Sequence, residues 1–165
     1  MNALSLHDVR TLLEAPSPAV LTVTRADGTA VTTPVWFRWT GRAFEAVIAV
    51  NDGKLRHLRN DPRCTLLIFE AVAPFRGVEV KGVAALTPCD VSEMRRSIAI
   101  RYLGAEAGKR FAAQRASTSG VLFQLIPDEP RVWSLQSILP GAEDAETNLA
   151  PAGPVELVAA VPALT

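Results

Sequence analysis

Cysteine and lysine are scarce in this chain, and a net charge and a long apolar run are missing. The only two cysteines, Cys64 and Cys89, show no CxxC spacing and have no histidine or acid cluster beside them. They read as small buried or half-buried hydrophobes of a reducing compartment, not as a metal site. Formal net charge is zero over 165 residues, so the basic excess of a general nucleic-acid binder is absent. No apolar run approaches the roughly 18 residues a membrane span requires. The opening "MNALSLHDVR" is polar and lacks the core of a signal peptide. A cytoplasmic protein with no nucleic-acid or membrane partner is the expectation. There is no nucleophile elbow, no Ser/His/Asp order and no pair of carboxylates on one element.

What is present is apolar and patterned. Hydrophobic residues make up 48% of the chain, enough for one domain with its own core. "SLHDVRTLLEAP" reads as an amphipathic helix boxed by Ser5 and Asp8, with Val9, Leu12 and Leu13 apolar and Pro16 as its stop. "AVLTVTRADGTAVTTPVWFRW" is a hairpin around Ala26-Asp27-Gly28, and "TGRAFEAVIAV" follows a tight turn at Gly41. "RCTLLIFEAV" and "RGVEVKGVAAL" form a second hairpin around Ala73-Pro74-Phe75. A capping box at Asp90 and Glu93 opens a helix, "EAGKRFAAQRA" supplies another, and "GVLFQLIP" and "PRVWSLQSI" are the closing strands.

Six or seven antiparallel strands with short connections predict a mainly β protein with helices, a barrel with helices at its ends. The domain is expected over residues 1–138, with a Pro/Ala-rich tail over 139–165 in which "VELVAAV" is a further strand candidate. In "TTPVWFRW", Thr33, Val35, Phe37 and Trp39 share one face while Pro34, Trp36 and Arg38 share the other. Aromatics on both faces predict that both are covered, one by the core and the other by a ligand or a second subunit. Pro34 cannot donate to a ladder, so it marks either a barrel corner or an edge that leaves backbone groups free.

The segment "NDGKLRHLRNDPRC", Asn51 to Cys64, poses the functional question. Fourteen of the seventeen Lys-plus-Arg residues are arginine, and one of the three lysines stands here, at the start of a short helix. Asp52 is the expected N-cap, Leu55 and Leu58 face inward, and Pro62 ends the helix. Its cations are either a solvated face or part of an anion site, since a helix start carries unsatisfied N–H groups and partial positive charge.

In their order, "TTPVWFRWTGRAFEAV", "GKLRHLRNDPRCTLLIF" and "VEVKGVAAL" resemble the pyridoxamine 5′-phosphate oxidase-like superfamily of split β-barrel flavoproteins. The "K-x-R-x-L-R-x-D-P-R" helix is similar to its flavin- and deazaflavin-dependent oxidoreductase branch. The resemblance spans residues 5–137 and implies a homodimer with two cofactor sites at the subunit interface. It further implies FMN or the deazaflavin coenzyme F-420 as cofactor, and hydride transfer to a small conjugated acceptor. Relatives that bind haem, or that bind a cofactor without turnover, imply a non-catalytic alternative.

Carried onto this chain, Lys54 becomes the phosphate ligand, Gly53 allows close backbone approach, and Arg56 is a second cation that alternatively pairs with Asp61 or Glu45. Thr33, Pro34, Val35 and Trp36 line the ring pocket. The hydroxyls of relatives are replaced by Val47, Ile48 and Val50, so Thr33 or Asn51 is expected to supply the missing donor. Trp133 is core, interface, or a ring stacked on the partner's cofactor. Arg76 and Lys81 either line the groove or sit on an exposed strand, and His57 is a surface or half-buried group before it is a haem ligand.

Overall fold

The computed structural model describes residues 4–140. Among the described residues, nine strands form two antiparallel sheets, and four α-helices pack against them. The first sheet runs β2(Ala30–Pro34)–β1(Ala19–Thr24)–β5(Arg63–Phe69)–β6(Gly77–Val83)–β9(Asp128–Trp133). The second runs β3(Arg38–Trp39)–β4(Phe44–Ala49)–β8(Gly120–Leu125)–β7(Ala85–Pro88). The architecture is the expected split barrel, with two of the seven expected strands each divided in two.

Both divisions have a local cause. Pro34 ends β2, and the chain crosses to the second sheet through Val35–Phe37 before β3 begins. The crossing is pinned by the Val35 N–H on Ala19 O (2.9 Å) and the Phe37 N–H on the Tyr102 hydroxyl (3.3 Å). Pro34 is therefore a barrel corner. Ala84 makes the second crossing, between β6 and β7, with its N–H on Pro62 O (2.8 Å). The barrel interior is filled from both sheets: Leu21, Leu66, Ile68 and Val80 meet Phe44, Ile48, Phe123 and Leu125, all buried.

Helix α1 (Arg10–Glu14) places Leu12 and Leu13 in this core. It is shorter than expected, and the box at Ser5 and Asp8 is only half made. The Ser5 hydroxyl and N–H both donate to the Asp8 carboxylate (2.7 and 2.8 Å), leaving residues 6–9 as turns. Helix α2 (Gly53–Asn60) buries Leu55 and Leu58 as expected.

Helices α3 (Ser92–Leu103) and α4 (Ala105–Gln114) form a hairpin, and α3 covers the outer face of the second sheet at β4. Gly108 permits their close approach, since a Cβ there would sit 2.5 Å from the Ile100 backbone. The expected box at Asp90 and Glu93 does not form, and Val91 is the N-cap. Asp90 Oδ1 accepts the Ser92 N–H (2.9 Å), whereas Glu93 turns to Arg96 (3.6 Å). No helix among the described residues is long and apolar enough to cross a membrane. "VELVAAV" and the tail beyond residue 140 lie outside the described residues.

Candidate functional site

The α3–α4 hairpin does not close fully on the sheet, and between them lies a cleft of about 410 Å³. That is within the range of small-ligand sites, roughly 300–1,000 Å³. Its floor is β4, where Val47 and Ala49 point out of the barrel while Phe44, Ala46 and Ile48 point in. One wall is the corner after β2: Pro34, Val35 and Trp36. The Trp36 ring is held between Tyr102, stacked at 5.2 Å and 10°, and Phe111, tilted at 5.1 Å. The opposite rim is α2, which contributes Lys54 and its cap Asp52.

The cap has the predicted geometry, with a consequence for the lysine. Asp52 Oδ1 accepts the Lys54 backbone N–H (2.9 Å), while Oδ2 is ion-paired with Lys54 Nζ. The Lys54 side chain is 14% exposed, so the charge is fixed in the cleft wall and does not sweep through solvent. Burial pushes the Asp52 carboxyl up; the hydrogen bonds and charge of Lys54 outweigh it and leave the group below its ordinary value.

Of the residues expected at the site, Pro34, Val35, Trp36 and Lys54 come together in this cleft. Thr33, Asn51, Gly53, Arg56 and Trp133 are not among its lining residues. Thr33 pairs with Leu21 inside the first sheet, and Asn51 and Gly53 are exposed at the entrance to α2. Neither Thr33 nor Asn51 lines the cleft; Thr118, after α4, is the hydroxyl-bearing residue that does.

Arg56 is exposed and pairs with neither expected acid. Asp61 is taken by Arg63 (2.8 Å), and Glu45 by Arg38 and Gln124, each at 2.7 Å. Trp133 lies on the outer face of the first sheet across Gly77, with the Arg131 guanidinium 5.2 Å from its ring. Arg76 is bound to Glu70 (2.9 Å) and the Thr11 hydroxyl (2.7 Å), and Lys81 to Glu79 (3.5 Å), both away from the cleft.

His57 is half-buried on α2 and does not line the cleft. Cys64 is buried, its thiol pushed up to about 11 by that burial, and Cys89 is exposed. No cluster of three metal-ligating side chains occurs among the described residues.

Sequence reasoning missed the whole α3–α4 side: Arg95, Ile98, Phe111, Arg115 and Thr118. The usable signal was the pair of helices itself, because two helices inserted between β7 and β8 must cover something. Chemically, the cleft offers an apolar slot with aromatic walls and three cations in its lining: Lys54 from α2, Arg95 from α3 and Arg115 just past α4. That set suits a flat, largely apolar ring system carrying anionic groups, and the residues present fit a flavin-type cofactor.

A split barrel with a ring-sized cleft against one sheet defines the class, and comparison with known proteins gives the family. The family model for pyridoxamine 5′-phosphate oxidase matches residues 6–134, and the chain belongs to that family. No curated protein matches it. Among solved structures, a conserved hypothetical protein from Mycobacterium tuberculosis is 21% identical with a TM-score of 0.68, over 84% of this chain and 91% of that one. An F420 reductase is 23% identical with a TM-score of 0.61, over 73% and 94%. A haem-binding protein from Mycobacterium smegmatis is 18% identical with a TM-score of 0.59, over 81% and 55%. At these identities the likeness is one of fold.

Proposed function

We propose that the chain binds a flavin-type cofactor, coenzyme F-420 or FMN, in the cleft beneath α3 and α4, and transfers hydride to a small conjugated acceptor. The observation that carries this reading is the placement of Lys54. A cation at a helix start shares one apolar cleft with Trp36, the arrangement a ring with an anionic tail requires. Family membership and the fold shared with an F420 reductase support it.

When bound, such a cofactor supplies the hydride chemistry, and the protein's part is orientation and exclusion of water. Lys54 is the anion anchor, Val35 and Trp36 form a rigid side wall, and Phe111 shields the slot from α4. In this reading the chain works as a homodimer, with the cofactor sites at the subunit interface.

The fold shared with a haem-binding protein makes a non-catalytic binder the rival. The visible spectrum of the purified protein, before and after addition of FMN, coenzyme F-420 or haem, separates the two. A flavin or deazaflavin band retained through gel filtration is the expected result. Retention of haem alone, or of none of the three, would overturn the proposal.

A further inference from the structure

We propose that the α3–α4 end of the cleft is an anion-binding corner, built on Arg95 and Arg115, that takes the carboxylate of a flat conjugated acid. This goes beyond the proposed function by naming a substrate class. It rests on the cleft being a ligand site, and does not depend on which cofactor binds there.

Arg95 is a charged side chain only 8% exposed. Nη1 donates to Arg115 O (2.9 Å), the C-cap carbonyl of α4 that also accepts the Thr118 N–H (3.0 Å), and Nη2 to Thr118 O (2.7 Å) in the loop beyond. Gly120 leaves room for the group, since a Cβ there would stand 3.0 Å from Nη2. Capping therefore explains where the guanidinium sits, but not how its charge is balanced. Two neutral carbonyls and a helix end worth about half a negative charge do not amount to a counter-ion. Arg95 is in no ion pair among the described residues. A buried charge with no acid in contact is costly, and this one borders the cleft. Asp90 accepts the Ser92 N–H at the start of α3, and that bond, helped by the Arg95 charge, lowers its carboxyl, but it forms no ion pair with Arg95.

Arg115 strengthens the corner from the rim. Its guanidinium lies 3.8 Å from the Phe111 ring centroid, and it too is in no ion pair among the described residues. A guanidinium resting on an aromatic face keeps its N–H edge for an oxyanion, and its planar fork matches a carboxylate. On α2, Asp52 already neutralises Lys54. The surplus positive charge of the cleft is therefore at Arg95 and Arg115, with apolar Trp36 and Ile98 beside it.

The test is calorimetric titration of the full chain with 2-naphthoate and its neutral isostere 2-naphthamide. The acid should bind at least about tenfold more tightly than the amide. Arg115→Gln should remove most of that preference without weakening the amide, and Arg115→Lys should keep part of it. Arg110→Gln, which removes a like charge from α4 away from the cleft, should leave the preference intact. Arg95→Lys, with folding checked by circular dichroism, should reduce it as well. Equal affinity for acid and amide, binding of neither, or equal losses in Arg110→Gln and Arg115→Gln would overturn the proposal. Titration of the same samples with FMN and coenzyme F-420 keeps the two readings apart: acid preference without cofactor binding sinks the cofactor alone.

Discussion

Asp52 holds Lys54 at both ends of the residue, its Oδ1 on the backbone N–H and its Oδ2 on the side-chain ammonium. The helix start that would receive a phosphate is therefore already occupied by a carboxylate of the chain itself. A ligand's anion must compete with that carboxylate.

The competition predicts opposite effects for the two partners. Lys54→Ala should weaken FMN binding by about 10- to 150-fold, the worth of a charge-assisted hydrogen bond, with the fold intact. Asp52→Asn keeps the capping acceptor but frees the ammonium. It should tighten FMN by roughly three- to tenfold, since the pair is partly solvated and the release is worth only about 1 kcal/mol. Riboflavin, which has no phosphate, should respond to neither change. The linkage sign follows from the lowered Asp52 value: its stabilisation is present above the ordinary carboxylate pKa of about 3.9 and is lost as pH falls through the depressed one. Acid-unfolding curves of wild type and Asp52→Asn check this, and superimposable curves would remove the pair from the account.

Dimerisation is the second prediction. Of the three tryptophans expected to need cover, two find it within the chain: Trp36 between Tyr102 and Phe111, and Trp39 against Phe44 at 4.4 Å. Trp133 does not, and register places it on the outer face of the first sheet, where Val20, Leu67 and Phe69 are also only half-buried. A stable interface buries roughly 800 Å² per partner. Light scattering at micromolar concentration should give twice the chain mass, and Leu67→Asp should halve it. A wild-type monomer would end the two-chain site.

The strand pattern, the hairpin turns and the α2 cap were legible because each is local: alternation, Asp-Gly, and an Asp before a cationic helix. The breaks at Pro34 and Ala84 were not, since a bend between sheets keeps the alternation running on both sides. Arg95 was invisible for a different reason. Composition treats arginine as surface, and α3 buries Arg95 alongside Ile98 and Ala99, so its apolar stripe is blurred. The Arg38–Glu45 pair is cross-strand, which displaced the expectation for Arg56. Local signals found one side of the cleft, and the side built by long-range packing had to be seen.

Tyr102 carries the third prediction. Its hydroxyl donates to Ser17 O (3.0 Å) and accepts the Phe37 N–H (3.3 Å), tying α3 to the corner that bears Trp36. Tyr102→Phe leaves both backbone groups short of a partner, at a cost of about 1–2 kcal/mol, or roughly 2–8 °C in Tm for a chain of this size. Burial pushes the phenol up, against smaller opposing contributions from the Phe37 N–H and the Arg101 charge. Its share of stability is thus full below pH about 10 and lost as pH rises through the raised value. Calorimetry of the phenylalanine variant at neutral and alkaline pH checks both statements. An unchanged Tm at neutral pH would mean the corner is held without the hydroxyl.

The choice of cofactor is the last prediction. FMN presents one phosphate, and its anchor is the lysine that Asp52 occupies. Coenzyme F-420 has a longer anionic tail, which gains from cations spread along a groove. Arg76 is excluded from that role by Glu70 and Thr11, leaving Arg56 and Arg59, exposed along α2 beyond Lys54 and in no ion pair among the described residues. Arginine forks suit the carboxylates of such a tail, and exposed pairs of this kind are screened by salt over about 10 Å at 0.1 M. Coenzyme F-420 should therefore bind more tightly than FMN and weaken more steeply as salt is raised. Arg56→Gln with Arg59→Gln should flatten that dependence while leaving FMN nearly untouched. Fluorescence titrations of both cofactors at low and high salt decide it: tighter FMN binding, or equal salt slopes, would reverse the assignment and leave Lys54 as the sole anchor.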